Sequence, residues 1–167
     1  ALTEQYPEAF VVWNLLGAAS AQTGKLAQAI NALQRVIAIK PDSADAYNNM
    51  GNALQDLGEL EEAIASYEKA LSLKPDYVEA CYNKGITLQG QGKLGEAIAS
   101  FETVLSFKPD YVEAYNNIGN ALQSQSKFQE AVACYKKALS LKHDYAEALN
   151  NMGVALKDQG KFDEAIA

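Results

Sequence analysis

A chain of 167 residues, 49% apolar and 21% charged, has the material for a buried core and is not expected to be disordered. Its net charge of −7 argues against nucleic acid or an anionic membrane surface as the main partner, because both call for clustered lysine and arginine. Two cysteines, Cys81 and Cys134, are too few for a disulfide scaffold and too far apart for zinc-ligand spacing, a usage that fits a reducing, cytoplasmic compartment.

In chain order, residues 1–9 carry Glu4 and Glu8 and no lysine or arginine, so they do not read as a secretory leader. They read as the tail of a preceding helical hairpin. The apolar stretch from Ala9 to Ala21 is interrupted by Asn14 and Ser20 and falls short of the roughly 20 residues that span a bilayer.

From there the sequence repeats itself. Lys-Pro-Asp begins at Lys40, Lys74 and Lys108, and a fourth copy at Lys142 has His143 in place of proline. The step is 34 residues each time, 41 to 75 to 109 to 143. Glycine keeps that step at Gly17, Gly51, Gly85, Gly119 and Gly153, and alanine keeps it at Ala29, Ala63, Ala97, Ala131 and Ala165. A fixed period of this length is the mark of stacked structural repeats. The units read as 10–43, 44–77, 78–111 and 112–145, with a partial unit over 146–167.

Each unit predicts two helices. In 44–77, Tyr47, Met50, Gly51 and Leu54 share one face of the first, and Gly58 with Glu59 ends it. Leu60, Ala63, Ile64, Tyr67, Ala70 and Leu71 line the second, which Pro75 stops. Asp76 with Glu79 is expected to form a capping box for the next helix, and Asp42 with Asp45, Asp110 with Glu113 and Asp144 with Glu147 to repeat it. The glycine inside every first helix lowers its propensity by about 0.8–1 kcal/mol, so close helix packing is expected there, with the repeated alanine as its counterpart. Leu33, Tyr67, Phe101 and Tyr135 are expected to fill the space between hairpins. One hairpin cannot bury both its faces, so stability comes from stacking. The last unit stops after about six residues of its second helix, below the roughly 12–15 an isolated helix needs, and the chain reads as a piece of a longer protein.

The set Tyr47, Met50, Gly51, Leu54, Ala63, Tyr67, Ala70 and Pro75, and again Tyr115, Ile118, Gly119, Leu122, Ala131, Tyr135 and Ala138, resembles the tetratricopeptide repeat family over nearly the whole chain. Cys81, Lys84 and His143 depart from that pattern, and a looser junction is expected beside them. The resemblance implies an all-α, right-handed α-solenoid, a superhelix of stacked hairpins whose concave groove is lined by first helices. It implies protein binding and no enzymatic activity.

Placed on this sequence, the groove would hold Asn48, Asn49 and Asn52, then Tyr82 and Asn83, then Asn116, Asn117 and Asn120, then Asn150 and Asn151, with Gln55, Gln89 and Gln123 continuing the amides. Asparagine is a poor interior helix residue, and its amide both donates and accepts hydrogen bonds. A ladder of amides can grip the backbone of an extended peptide. Asn49, Asn83, Asn117 and Asn151 stand equally well as ties between hairpins, whereas Asn48, Asn52, Asn116 and Asn120 are assigned to binding. The first unit has Leu15 and Ala18 instead, so the polar groove begins at the second. The asparagine positions resemble the tetratricopeptide arm of O-linked N-acetylglucosamine transferases, which implies an alternative role as the substrate-recruiting arm of a transferase. A third alternative is a structural module that self-associates end to end. Chaperone-binding relatives use lysine or arginine where this chain has Asn48, Tyr82 and Asn116, so a chaperone C-terminus is not the expected ligand.

No catalytic, metal or cofactor site is expected. His143, the single histidine, lies in a connector nine positions from Cys134, about 13 Å along a helix, too far for a nucleophile–base pair. The glycines mark packing and turns rather than a phosphate loop.

Overall fold

The computed structural model describes residues 7–160, with side-chain surroundings from residue 10 onward. The expected hairpin tail at residues 1–6 and the second helix of the last unit, 161–167, lie outside the described residues. Nine α-helices run through the described residues: α1 Pro7–Gln22, α2 Leu26–Ile39, α3 Ala44–Leu57, α4 Leu60–Leu73, α5 Val78–Gly90, α6 Leu94–Phe107, α7 Val112–Ser124, α8 Phe128–Leu141 and α9 Ala146–Asp158. No helix among them is long and apolar enough to cross a membrane. α1 starts at Pro7, three residues before the expected unit, and proline suits a first helical position because its missing N–H would lack a partner anyway.

The chain divides into two compact units, 1–87 and 88–167. In the first, α1 pairs with α2 and α3 with α4 as hairpins, and α2 also packs on α3. Ala63, Tyr67 and Ala70 of α4 and Ala80 of α5 are fully buried together, with Tyr47 and Leu54 of α3, Leu71 of α4 and Tyr77 against them. A second helix is thus enclosed by its own first helix and by the first helix of the next hairpin. In the second unit, α7 pairs with α8, and α8 packs in turn on α9. Ala131, Tyr135 and Ala138 occupy its interior.

The repeated glycine does mark close packing, but its partner is the large residue and not the alanine. A β-carbon at Gly51 would lie 2.5–2.9 Å from the Tyr67 ring, and one at Gly119 would lie 2.4–2.8 Å from the Tyr135 ring. The ring fills the notch that glycine leaves, so these tyrosines pack first inside their own hairpin. At Gly17 the partner is Leu33, whose Cγ is 3.2 Å from the added carbon.

The expected capping boxes do not form at the starts of α3, α7 and α9. Ser43 caps α3, its hydroxyl accepting from Ala46 N at 3.3 Å. Tyr111 and Tyr145 hold the cap positions of α7 and α9 without a side-chain bond, so Asp42, Asp110 and Asp144 each stand one residue too early. The connector lysines sit at helix C-caps, where the dipole favours a cation, and each also covers a ring. Lys74 Nζ is 4.5 Å from the Tyr77 centroid, Lys108 5.0 Å from Tyr111 and Lys142 5.5 Å from Tyr145. Where Ser43 replaces the tyrosine, Lys40 turns to Phe10 at 5.9 Å. At the junction beside Lys84, its Nζ meets Glu68 Oε1 at 2.8 Å.

Candidate functional site

The first helices align their amides because Asn48, Asn52 and Gln55 recur at three- and four-residue spacing on one face of α3, as Asn116, Asn120 and Gln123 do on α7. In the first unit Asn83 Nδ2 of α5 donates to Asn52 Oδ1 at 2.9 Å and reaches Asn48 Oδ1 at 3.5 Å. Asn48 Nδ2 in turn reaches Glu79 Oε1 at 3.5 Å. The second unit builds the same rung: Asn151 Nδ2 donates to Asn120 Oδ1 at 2.9 Å and Asn116 Oδ1 at 3.2 Å, and Asn116 Nδ2 donates to Glu147 Oε1 at 2.8 Å. The glutamates assigned to capping boxes therefore anchor the ladder.

One tyrosine hydroxyl holds each rung from behind, that of Tyr67 in the first unit and that of Tyr135 in the second. Tyr67 OH lies 2.8 Å from Asn52 Oδ1 and 2.9 Å from the Gln55 carboxamide, which also meets Thr87 Oγ1 at 2.8 Å. A hydroxyl has one proton to give. Tyr67 donates to Asn52 and Thr87 donates to the Asn83 carbonyl at 2.8 Å, and both accept from Gln55 once that carboxamide is turned end for end. Tyr135 OH stands likewise 2.8 Å from Asn120 Oδ1 and 2.9 Å from Gln123. Burial is the main cause that pushes both phenols well above their usual range, with Asp56 and Glu79 adding to it for Tyr67, and Cys134 and Glu147 for Tyr135.

The structure sorts the ten expected groove residues. Asn48 and Asn116 are each 1% exposed, so they are interior supports and do not face a groove, a correction to their assignment to binding. Asn52, Asn83, Asn120 and Asn151 are half-buried, Tyr82 and Asn117 are half-buried and engaged in contacts, and Asn49 and Asn150 are exposed. Within the rungs the free ends alternate. Asn52 and Asn120 spend their oxygens on two donors each and keep Nδ2, while Asn83 and Asn151 spend Nδ2 and keep Oδ1.

The tyrosine hydroxyls were missed in the sequence, although a signal was there. Tyr67 and Tyr135 occur in the units that have Asn52 and Asn120; Leu33 and Phe101, without hydroxyls, occur in the units that have Ala18 and Ile86. Elsewhere, Cys81 is 5% exposed, and burial, with Glu130 and Glu102 nearby, pushes the half-buried Cys134 thiol up, which disfavours a reactive thiolate. Among the described residues no three histidine, cysteine, aspartate or glutamate side chains are grouped to hold a metal ion.

The chain is similar in fold to MamA 41-end from Desulfovibrio magneticus RS-1, at 20% identity over 95% of this chain and 89% of that one, with a TM-score of 0.89. Pseudomonas aeruginosa PilF follows at 24% identity over 96% and 73% of the two chains and a TM-score of 0.82. YrrB, a TPR protein with an unusual peptide-binding site, matches at 19% identity over 99% and 85%, with a TM-score of 0.80. At these identities the likeness shows the fold. No curated protein matches the sequence. Models described as TPR repeat match residues 17–58, 51–92 and 90–126, and models described as tetratricopeptide repeat match 112–145 and 134–167. The chain belongs to the tetratricopeptide repeat family.

Proposed function

We propose that this chain is a non-enzymatic protein-interaction module that receives an extended peptide segment of a partner along its first helices. The observation that carries this reading is the alternation of free amide ends. Asn52 Nδ2 and Asn83 Oδ1 offer a donor beside an acceptor, and Asn120 and Asn151 repeat the pair. The backbone of an extended peptide offers the matching acceptor and donor whatever its side chains. Exposed Asn49 and Asn150 extend the amide surface, with Tyr82 and Asn117 also on first helices. The rungs are held by the buried Tyr67 and Tyr135 and by the exposed Glu79 and Glu147, so less side-chain freedom remains to be lost on binding.

The test begins with selection of binding peptides from a random library. Affinity is then measured for a variant carrying Asn49→Ala, Asn83→Ala and Asn151→Ala, whose helicity is checked by circular dichroism. A folded variant at least about tenfold weaker supports the reading, a loss of about 1.4 kcal/mol from several hydrogen bonds. Unchanged affinity contradicts it.

The likeness of the asparagine positions to transferase arms favours a second reading, in which the same surface recruits substrates to a transferase. The proteins of similar fold named above add no support to it. Capture of unmodified acceptor peptides by this surface in the intact protein, with turnover lost in the same variant, would distinguish it.

A further inference from the structure

Asp45, Asn49, Asn52 and Asp56 recur at four-, three- and four-residue steps, so they share one stripe of α3 with a carboxylate at each end. α9 carries Glu147, Asn151, Val154 and Asp158 at the same steps. Glu79 opens the stripe of Asn83 on α5, and Glu113 that of Asn117 and Asn120 on α7. All six carboxylates are exposed. In the first unit Glu79 accepts from Asn48, and after burial the charges of Asp56 and Glu79 add to the upward shift of the Tyr67 phenol. In the second, Glu147 accepts from Asn116, and Asp158 Oδ2 lies 3.5 Å from the Gln123 carboxamide. The charges therefore stand beside the amide rungs and not on a separate surface.

Among the described residues, the basic side chains on α3, α5, α7 and α9 are Lys84 and Lys157. Lys84 pairs with Glu68 of α4, and Lys157 stands about 100° round its helix from Asp158. Helix stability does not explain the arrangement. Glu79, Glu113 and Glu147 suit a helix start, but Asp56 and Asp158 fall in last turns, where the dipole disfavours an anion. On the peptide reading given above, we propose that the segment received along the first helices is basic, its lysine or arginine side chains reaching these carboxylates. The amides keep the backbone, whose carbonyls a carboxylate would repel, and the charges stand at the stripe ends, where side chains reach. An extended chain between Asp45 and Asp56, about 16 Å apart along α3, turns successive side chains to opposite sides, so both ends of the stripe are used. Each exposed ion pair is worth no more than about fivefold in affinity, so selection comes from their sum and from steering of the encounter.

Peptides selected from a random library at low salt test this, together with a form of one of them in which every lysine and arginine is glutamine. The selected peptides should carry more lysine and arginine than aspartate and glutamate. Affinity for the basic peptide should fall at least about tenfold between about 0.01 and 1 M salt, as the screening length shrinks from about 30 to about 3 Å. It should fall by a similar factor in a variant carrying Asp45→Asn, Asp56→Asn and Glu113→Gln, whose folding circular dichroism confirms. Those substitutions leave the rung hydrogen bonds in place. The glutamine form should bind parent and variant equally. Selected peptides without the basic excess, affinity indifferent to salt, or affinity unmoved in the variant would overturn the proposal and leave backbone recognition standing. A library that yields no binding peptide would overturn both.

Discussion

Asn83 Nδ2 lies 2.9 Å from Asn52 Oδ1, and the same bond at the same length joins Asn151 to Asn120 in the second unit. Each of these oxygens also receives a tyrosine hydroxyl, so one carboxamide links two helices and a buried ring. Asn52→Ala takes the acceptor from both donors and should destabilise the fold by about 1–3 kcal/mol, read from urea unfolding. Asn52→Asp keeps an acceptor oxygen for both donors while it replaces Nδ2 by a second acceptor oxygen and adds a negative charge. It should hold stability near the parent at neutral pH while weakening peptide binding, and equal losses in both variants would contradict the division of roles.

Gly51→Ala should destabilise although alanine is the better helix former by about 1 kcal/mol. Its new carbon would meet the Tyr67 ring at 2.5 Å, and the ring is tied through its hydroxyl to Asn52 and Gln55. Overpacking of this kind is worth about 1–3 kcal/mol. Gly17→Ala, facing the more adaptable Leu33 at 3.2 Å, should lose less. In a Tyr67→Leu background the penalty of Gly51→Ala should shrink, and thermal unfolding of the four variants gives the coupling directly.

Ser126 sits at φ 61° in the α7–α8 turn, where the other hairpin turns have Gly24, Gly58, Gly92 and Gly160, all at positive φ. A left-handed backbone is strained for a residue with a β-carbon by about 1–2 kcal/mol. Ser126→Gly should therefore raise stability by up to about 1 kcal/mol, the remainder offset by the greater freedom of glycine in the unfolded chain. A lower melting temperature in that variant would contradict the strain.

The raised phenol of Tyr67 sets an alkaline limit. Its folded pKa lies above its unfolded value near 10, so above that value the unfolded chain has shed a proton that the folded chain keeps. The contribution is full below about pH 10 and is lost as pH rises towards the folded pKa, at up to about 1.4 kcal/mol per pH unit for each such phenol. Tyr135 behaves alike, and Tyr77 is raised by burial with Asp45 beside it. Denaturant midpoints between pH 9 and 11 should fall, less steeply in Tyr67→Phe.

The period, the helix pairs and the turn glycines were legible because each depends on residues that recur at a fixed step. The side-chain assignments were less so. Asn48 and Asn52 look alike in sequence, yet one is interior and the other half-exposed, because a partner 31 residues away, Glu79 or Asn83, decides which amide turns inward. Asp42, Asp110 and Asp144 match a capping pattern but stand one residue before the caps, since Lys-Pro-Asp turns run one residue further before the helix begins. The partner of Gly51 was misjudged because a small residue was expected to meet another small one, whereas a flat ring fills the notch.

Backbone recognition is tested most directly by the anisotropy of one selected, labelled peptide compared with its form N-methylated at alternate backbone amides. Methylation removes the donors that Asn83 and Asn151 would meet and leaves every side chain in place. The account predicts at least about a tenfold loss of affinity on methylation and small losses along an alanine scan of the same peptide. Full affinity after methylation, with binding abolished by a single alanine, would contradict it.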